Sequence, residues 1–270
     1  MRVDEHTIEV AEAPVFYRSA GDGAAPVLYL HGSPTSSDDW PDFLARTGGL
    51  APDLIGFGRT AKGGNLDYTI DGLADFVERF LDAVDVDAVR LVGHDWGAAA
   101  GLVFAQRHPG RVQRIVLINA IPLLEGFRWP RLARAWRRPM LGELVHGITT
   151  RRLLARELRR GTVGPEAWSD ARLDHVWAQF DQGTQRAILR LHRATSEQGL
   201  AAAGARLSEL DVPALVLWGE RDPWLGAELA DAYGERLPQA IVERIPAAGH
   251  WPWLDDAGVP DRVAAFLEPR

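Results

Sequence analysis

Leu91-Val92-Gly93-His94-Asp95-Trp96-Gly97-Ala98 joins two unlike stretches: the apolar run Val89 to Gly93 and the helix-forming run Ala98 to Arg107. The first reads as a buried strand and the second as a helix. Gly-x-Asp-x-Gly at such a junction makes a tight turn whose small flanking residues let the backbone pass closely. The central side chain is thrust out at the top of a sheet, beside a helix N-terminus. Asp95 therefore reads as a nucleophile on a strand-to-helix elbow; the alternative is a helix N-cap aspartate.

The sequence on either side repeats the alternation. Thr7 to Val10 and Val15 to Tyr17 read as short opening strands, Val27 to Leu30 as a buried strand, and Ala51 to Leu54 as a weaker one. Ile70 to Val84 carries Leu73, Phe76, Val77, Phe80, Leu81 and Val84 at helical spacing. Val112 to Ile118 is a further strand. From Pro122 to about Leu210 strand signals vanish, and helices are expected at Phe127 to Arg138, Leu141 to Ile148 and Leu173 to Arg193. One apolar stripe runs through Trp129, Leu132, Ala133 and Trp136, and another through Leu141, Leu144, Val145 and Ile148. The rhythm then resumes with strands at Val212 to Trp218 and Ile241 to Ile245, and helices at Ala227 to Leu237 and Val259 to Leu267. Strands alternating with helices imply a mostly parallel sheet covered on both faces, interrupted by one helical insertion.

Two more segments face the same sheet edge as the elbow. His31-Gly32-Ser33-Pro34 follows the Val27 to Leu30 strand, and the backbone N–H groups of Ser33 and Trp96 are placed to form an oxyanion hole. Ala248-Gly249-His250 follows the last strand and supplies a loop-borne general base, while Asp222, after the Val212 to Trp218 strand, supplies a carboxylate to orient it. Glu125 is the alternative orienting carboxylate. The chain order nucleophile, acid, histidine is that of the α/β-hydrolases.

Over essentially its whole length the sequence resembles an α/β-hydrolase. Its elbow, Gly93-His94-Asp95-Trp96-Gly97-Ala98-Ala99, with His31-Gly32-Ser33-Pro34-Thr35-Ser36-Ser37 and Asp53-Leu54-Ile55-Gly56-Phe57-Gly58, resembles the branch with an aspartate nucleophile: epoxide hydrolases and haloalkane dehalogenases. The resemblance implies a mostly parallel eight-stranded sheet flanked by helices, with residues 1–121 and 211–270 as the core and 122–210 as an inserted helical cap over the active site. The cap tryptophans and leucines are expected to close an apolar pocket over Asp95.

An aspartate nucleophile narrows the chemistry. Attack on an ester would give a labile anhydride, whereas attack on an sp³ carbon gives an alkyl ester on Asp95 that a His250-activated water can hydrolyse. An epoxide oxygen needs a proton donor as it leaves, in this branch commonly a pair of cap tyrosines. The four tyrosines here, Tyr17, Tyr29, Tyr68 and Tyr233, all lie outside the insertion, so a donor would have to come from His146, His175 or His192. A halide needs only N–H donors. Trp96 offers one, as its counterpart does in dehalogenases, although many epoxide hydrolases also carry tryptophan there. Trp129, Trp136, Trp168 and Trp177 of the cap are further donor candidates, each with core packing as its plainer role, and His31 is a further pocket candidate. Fluoroacetate dehalogenases typically have arginine where Trp96 stands, which sets that subgroup aside. The elbow leans towards epoxide hydrolysis to a diol, which is the expectation carried forward. Haloalkane hydrolysis is the alternative, and a ligand-binding protein without turnover is a third reading.

Composition bounds the rest. The 270 residues are 46% hydrophobic and 25% charged, in keeping with one globular domain and a modest insertion. There is no cysteine, which excludes disulfides, thiolate metal sites and a cysteine nucleophile. Scattered histidines imply no metal, and Gly56-Phe57-Gly58 lacks the spacing of a dinucleotide loop, so no cofactor is expected. The net charge of −7 disfavours nucleic acid, and no apolar run approaches a membrane span. The charge is uneven: residues 122–210 hold 15 Arg against 9 Asp and Glu, a surplus of +6, leaving −13 for the remainder. Lys62 is the only lysine. The pairs Asp38-Asp39 and Asp255-Asp256 read as exposed turn residues. A cytoplasmic enzyme acting on a small hydrophobic substrate with water as co-substrate is expected, and the reading leaves room for a homodimer.

Overall fold

The computed structural model describes residues 1–21 and 26–268. Eight strands, β1 (Asp4–Val10), β2 (Ala13–Ala20), β3 (Val27–Leu30), β4 (Gly49–Pro52), β5 (Val89–His94), β6 (Val112–Ala120), β7 (Ala214–Gly219) and β8 (Ala240–Ile245), form one sheet in the order β1-β2-β4-β3-β5-β6-β7-β8. The β1–β2 and β2–β4 pairs are antiparallel and all others parallel. The central strands β3, β5 and β7 are buried throughout or nearly so, which is why they read as unbroken apolar runs rather than as alternating ones.

Helices α1 (Pro41–Thr47), α2 (Ile70–Ala83) and α3 (Asp95–Arg107) pack on the first part of this sheet. Helix α2 turns Leu73, Phe76, Val77, Phe80 and Leu81 inward, and Thr69 caps its first turn by accepting from Gly72 N. In α3 the run Ala98-Ala99-Ala100 is fully buried, and only small side chains let the helix lie this close to the sheet. The inserted segment contributes α4 (Arg131–Trp136), α5 (Leu141–Gly147), α6 (Arg151–Arg160), α7 (Asp170–Gln179), α8 (Gln182–Ala194) and α9 (Glu197–Ala203), after which α10 (Glu228–Arg236), α11 (Pro252–Asp255) and α12 (Val259–Leu267) complete the chain. Among the described residues no helix is long and apolar enough to cross a membrane.

Several expected elements are corrected. The helix expected from Phe127 is confined to α4, because Pro130 keeps its predecessor out of helical space and itself serves as the extended N-cap. The helix expected over Leu173 to Arg193 is two: α7 ends at Gln179, and Asp181 starts α8 by accepting from Thr184 N at 2.9 Å. Strand β4 is shifted two residues towards the N-terminus: Asp53 N–H makes a last bond to the Phe16 carbonyl, and its side chain accepts N–H groups from Ser37 and Arg59 as the chain turns away. The α5 stripe does not face the core: Leu144 and Ile148 are 59% and 60% exposed, and His146 is buried in their stead. Helices α6 and α9 were not anticipated. The aspartate pairs are corrected too. Asp39 is 6% exposed, with Thr35 Oγ1 at 2.5 Å from Oδ2, and Asp38 is half-buried with Arg18 and Gln179 on its two oxygens. Asp255 and Asp256 are also half-buried and hydrogen-bonded.

Candidate active site

The elbow between β5 and α3 holds Asp95 at φ +49°, a left-handed conformation that costs a non-glycine residue energy. The glycines around it allow the turn. A Cβ on Gly93 would collide with Ala98 Cα, one on Gly97 with the Leu30 carbonyl, and one on Gly32 would sit 2.5 Å from Asp95 Cβ. Ser33 N–H consequently reaches the nucleophile candidate, donating to Asp95 Oδ2 at 2.9 Å, and the Trp96 backbone N–H also favours the charged form of this carboxylate. Burial pushes the Asp95 carboxyl up to about 6, against the pull of His250 and of these two N–H groups.

His250 and Asp222 meet as expected, Nδ1 to Oδ2 at 2.6 Å. Asp222 is fully satisfied otherwise: Oδ1 accepts from Trp224 N and Leu225 N at 2.8 and 3.0 Å, and Oδ2 accepts from Asn119 Nδ2 at 2.8 Å. These bonds fix the carboxylate, which in turn makes Nδ1 the protonated ring nitrogen and leaves Nε2 as the basic one. Burial works against the charged imidazole, but the carboxylates of Asp222, Asp95 and Asp39 outweigh it and raise the His250 pKa. The Trp224 and Trp251 rings stand edge-on to the imidazole at 5.0 and 4.7 Å.

Asp95, Ser33, Trp96 and His250 line a cavity of about 460 Å³, a size suited to a small molecule. The inserted segment supplies most of its apolar wall, including Trp129, Trp136, Leu154, Phe180 and Ile188. Trp129 stacks on Trp96 at 5.6 Å, and His192 is set among Trp96, Trp129 and Trp136 with centroids at 5.2, 5.2 and 4.9 Å. His192 Nδ1 lies 2.8 Å from the Ile188 carbonyl and must donate to it, so Nε2 carries the lone pair in the neutral ring. Burial lowers the pKa of His192 and of His146, both cavity residues, to about 4. Both His146 ring nitrogens and the indole nitrogens of Trp129 and Trp136 are buried with no partner among the described residues.

Other candidates are placed elsewhere. His31 is buried away from the cavity, its Nδ1 2.8 Å from the Gly32 carbonyl and its Nε2 accepting from Leu54 N at 2.8 Å, so it braces the Ser33 loop. Trp168 packs edge-on against Trp251 at 5.0 Å and Trp177 stacks on Phe180 at 6.2 Å; neither lines the cavity. His175 and Glu125 are exposed and do not line the cavity. Three contributors were not anticipated: Asn119, at φ +37° beyond the end of the β6 apolar run; His94, whose Nε2 donates to the His250 carbonyl at 2.9 Å; and Asp39. Among the described residues no group of His, Asp and Glu side chains gathers that could hold a metal ion.

A family model described as the alpha/beta hydrolase fold matches residues 25–257. The chain is 28% identical, over a 287-residue alignment, to a protein of Mesorhizobium japonicum named haloalkane dehalogenase, covering 97% of this chain and 90% of that protein. The crystal structure of haloalkane dehalogenase DbeA from Bradyrhizobium elkani superimposes with a TM-score of 0.82 at 25% identity, covering 98% of this chain and 99% of that one. The structure of the epoxide hydrolase CorEH superimposes with a TM-score of 0.83 at 19% identity and 98% coverage of both chains, a likeness of fold alone.

Proposed function

We propose, since the chain belongs to the α/β-hydrolase superfamily and to its dehalogenase-like branch, that it hydrolyses the carbon–halogen bond of small hydrophobic haloalkanes through an alkyl ester on Asp95. The observation that carries this reading is the cavity lining. Trp96, beside Asp95, brings an indole to the leaving-group side, and none of the four tyrosines lines the cavity. A halide can leave with its electron pair into N–H donors, whereas an epoxide oxygen needs an acid. His146 and His192, the cavity histidines that the inserted segment supplies, are held neutral near pH 7 and are poor acids. The cavity lining thus supports haloalkane hydrolysis over the epoxide hydrolysis towards which the elbow leans.

In this mechanism Ser33 N–H holds Oδ2 of Asp95, so Oδ1 attacks the sp³ carbon as the carbon–halogen bond breaks. His250 Nε2 then removes a proton from water, and the hydroxide adds to the carbonyl carbon of the Asp95 ester. Ser33 and Trp96 N–H stabilise the oxyanion. Collapse breaks the acyl–oxygen bond, the alkoxide takes the proton from His250, and the regenerated Asp95 acid loses a proton to solvent. The overall change is haloalkane plus water to alcohol, halide and a proton. The inserted helices, as a cap, keep bulk water away and so strengthen these contacts.

The test removes only the base. In His250→Gln, bromoalkanes should still alkylate Asp95 and hydrolysis should stall, so intact-protein mass spectrometry finds the alkyl group added less one proton, mapped to Asp95. Wild type should release bromide from bromoalkanes and form no diol from an epoxide panel. An adduct carrying the whole mass of an epoxide would replace this reading with epoxide hydrolysis. Wild-type turnover without any adduct in the variant would remove the nucleophile role from Asp95.

A further inference from the structure

Three backbone N–H groups from two distant segments converge on one carboxylate outside the cavity. Asp255, the last residue of α11, accepts from Gly249 N at Oδ2 (2.9 Å) and from Val163 N and Gly164 N at Oδ1 (2.8 and 3.0 Å). Gly249 immediately precedes His250, and residues 161–164 follow α6 within the inserted helices. The two segments also bond directly, His250 N donating to the Gly161 carbonyl at 2.7 Å. They are packed without room for a methyl group: a Cβ on Gly249 would collide with the Gly161 carbonyl, and one on Gly161 would lie 2.6 Å from the Trp224 ring and collide with Trp251. Trp224 and Trp251 are the two rings set edge-on to the His250 imidazole.

We propose that Asp255 is a positioning residue that couples the seating of cap residues 161–164 to the placement of His250. The inference rests on His250 being the base of the proposed reaction. All three groups reaching Asp255 are donors, so only a carboxylate satisfies both sides at once. An amide, whichever way it is turned, presents NH₂ to one of the two segments and leaves that segment's N–H groups unmet. Asp95 is held by the β5–α3 elbow and by Ser33 N–H rather than by this junction. Loosening the junction therefore slows the step that uses His250 and spares the step that uses Asp95 alone.

The test compares full-length Asp255→Ala and Asp255→Asn with wild type, with far-UV circular dichroism and a thermal melt to establish folding. By hydrogen exchange, Asp255→Ala should speed the amides of both 161–164 and 249–251 by about tenfold, and Asp255→Asn should speed chiefly one of the two segments. In single-turnover reactions with a bromoalkane, bromide release by Asp255→Ala should stay within about twofold of wild type. Alcohol formation should slow about tenfold, and the alkyl adduct on Asp95 should accumulate. Exchange that rises in 161–164 alone in the alanine variant, or bromide release and alcohol formation that fall together, would overturn the proposal. If Asp255→Ala does not fold, the asparagine variant decides by the kinetics: slowed alcohol formation with bromide release spared supports the proposal, and a joint fall overturns it. If wild type releases no halide, the haloalkane reading fails by itself, and exchange in both segments still decides the coupling.

Discussion

The Asp95–His250 pair has its charges arranged in the sequence the reaction needs. In the free protein each group favours the charged form of the other: His250 draws the Asp95 carboxyl down from where burial alone would put it, and Asp95 helps to raise His250. Esterification removes the negative charge from Asp95. His250 then loses one of the influences that keep it protonated, and becomes a better base for the water that follows. Since the nucleophile is the ionised carboxylate, the rate of halide release should rise with pH through about 6 and level off above it. In His250→Gln the rise should move to higher pH, because an attraction that lowered Asp95 is gone. Stopped-flow bromide release from pH 5 to 8 measures both, and a midpoint unchanged by the substitution would contradict the coupling. Asp95, Ser33, Trp96, Asp222 and His250 were legible because each sits at a strand end inside a short motif that its neighbours enforce. Asn119 and Asp255 were not, because partners they hold are remote in sequence: Asn119 and Asp222 are 103 residues apart, and Asp255 and Gly164 are 91 apart; Asp39 bonds locally to Thr35 and acts on His250 only through its charge. A surface-looking aspartate cannot be told from a buried one when its partners come from another part of the chain.

The core elements were read more faithfully than the inserted ones, for a physical reason. A strand with both faces covered must be apolar throughout, and a helix lying on a sheet must present one stripe, so β5, β7 and α2 declare themselves. Periodicity in α5 is equally clear, yet it says nothing about which side has a neighbour: Leu144 is exposed to solvent, whereas Val145 and Ile148 line the cavity. Boundaries failed where chain stereochemistry overrode pattern, at Pro130 and at the Phe180–Asp181 break. Asp181 does two jobs there, capping α8 through Thr184 N and pairing with Lys62 Nζ at 2.8 Å. Asp181→Ala should lower stability by about 1 to 2 kcal/mol, mostly through the lost cap. Asp181→Asn, which keeps a capping oxygen, should cost under about 1 kcal/mol, as an ion pair near the surface is worth little. Denaturant melts of the two variants separate these contributions, and equal losses would show that the ion pair dominates.

At the scale of the whole molecule, two of the edges that hold the inserted helices to the sheet stand out. One is the junction at Asp255. The other is polar and gathers around Lys62, whose Nζ donates to the Gln179 carbonyl at 3.0 Å as well as to Asp181, while Gln179 Nε2 donates to Asp38 at 2.8 Å and Arg186 to the Lys62 carbonyl at 2.6 Å. The protein carries all its other basic side-chain charge apart from histidine on arginine, so this edge contains the sole ε-amine in 270 residues. Amine-directed reagents therefore have one side-chain target, besides the chain terminus, and that target is a latch. An acylating label should react slowly at Lys62 while the latch is shut, since the amine is spent on Gln179 and Asp181 and its side chain is only 16% exposed. Labelling should accelerate whenever the helices lift. Peptide mapping of acetylation over time, with and without an alkyl group trapped on Asp95 in His250→Gln, should show slower modification of Lys62 in the loaded protein. Equal rates would mean that this edge does not open with the pocket. The sole side-chain amine of the sequence thus stands where the inserted helices meet the sheet, a built-in chemical reporter of that contact that needs no engineering.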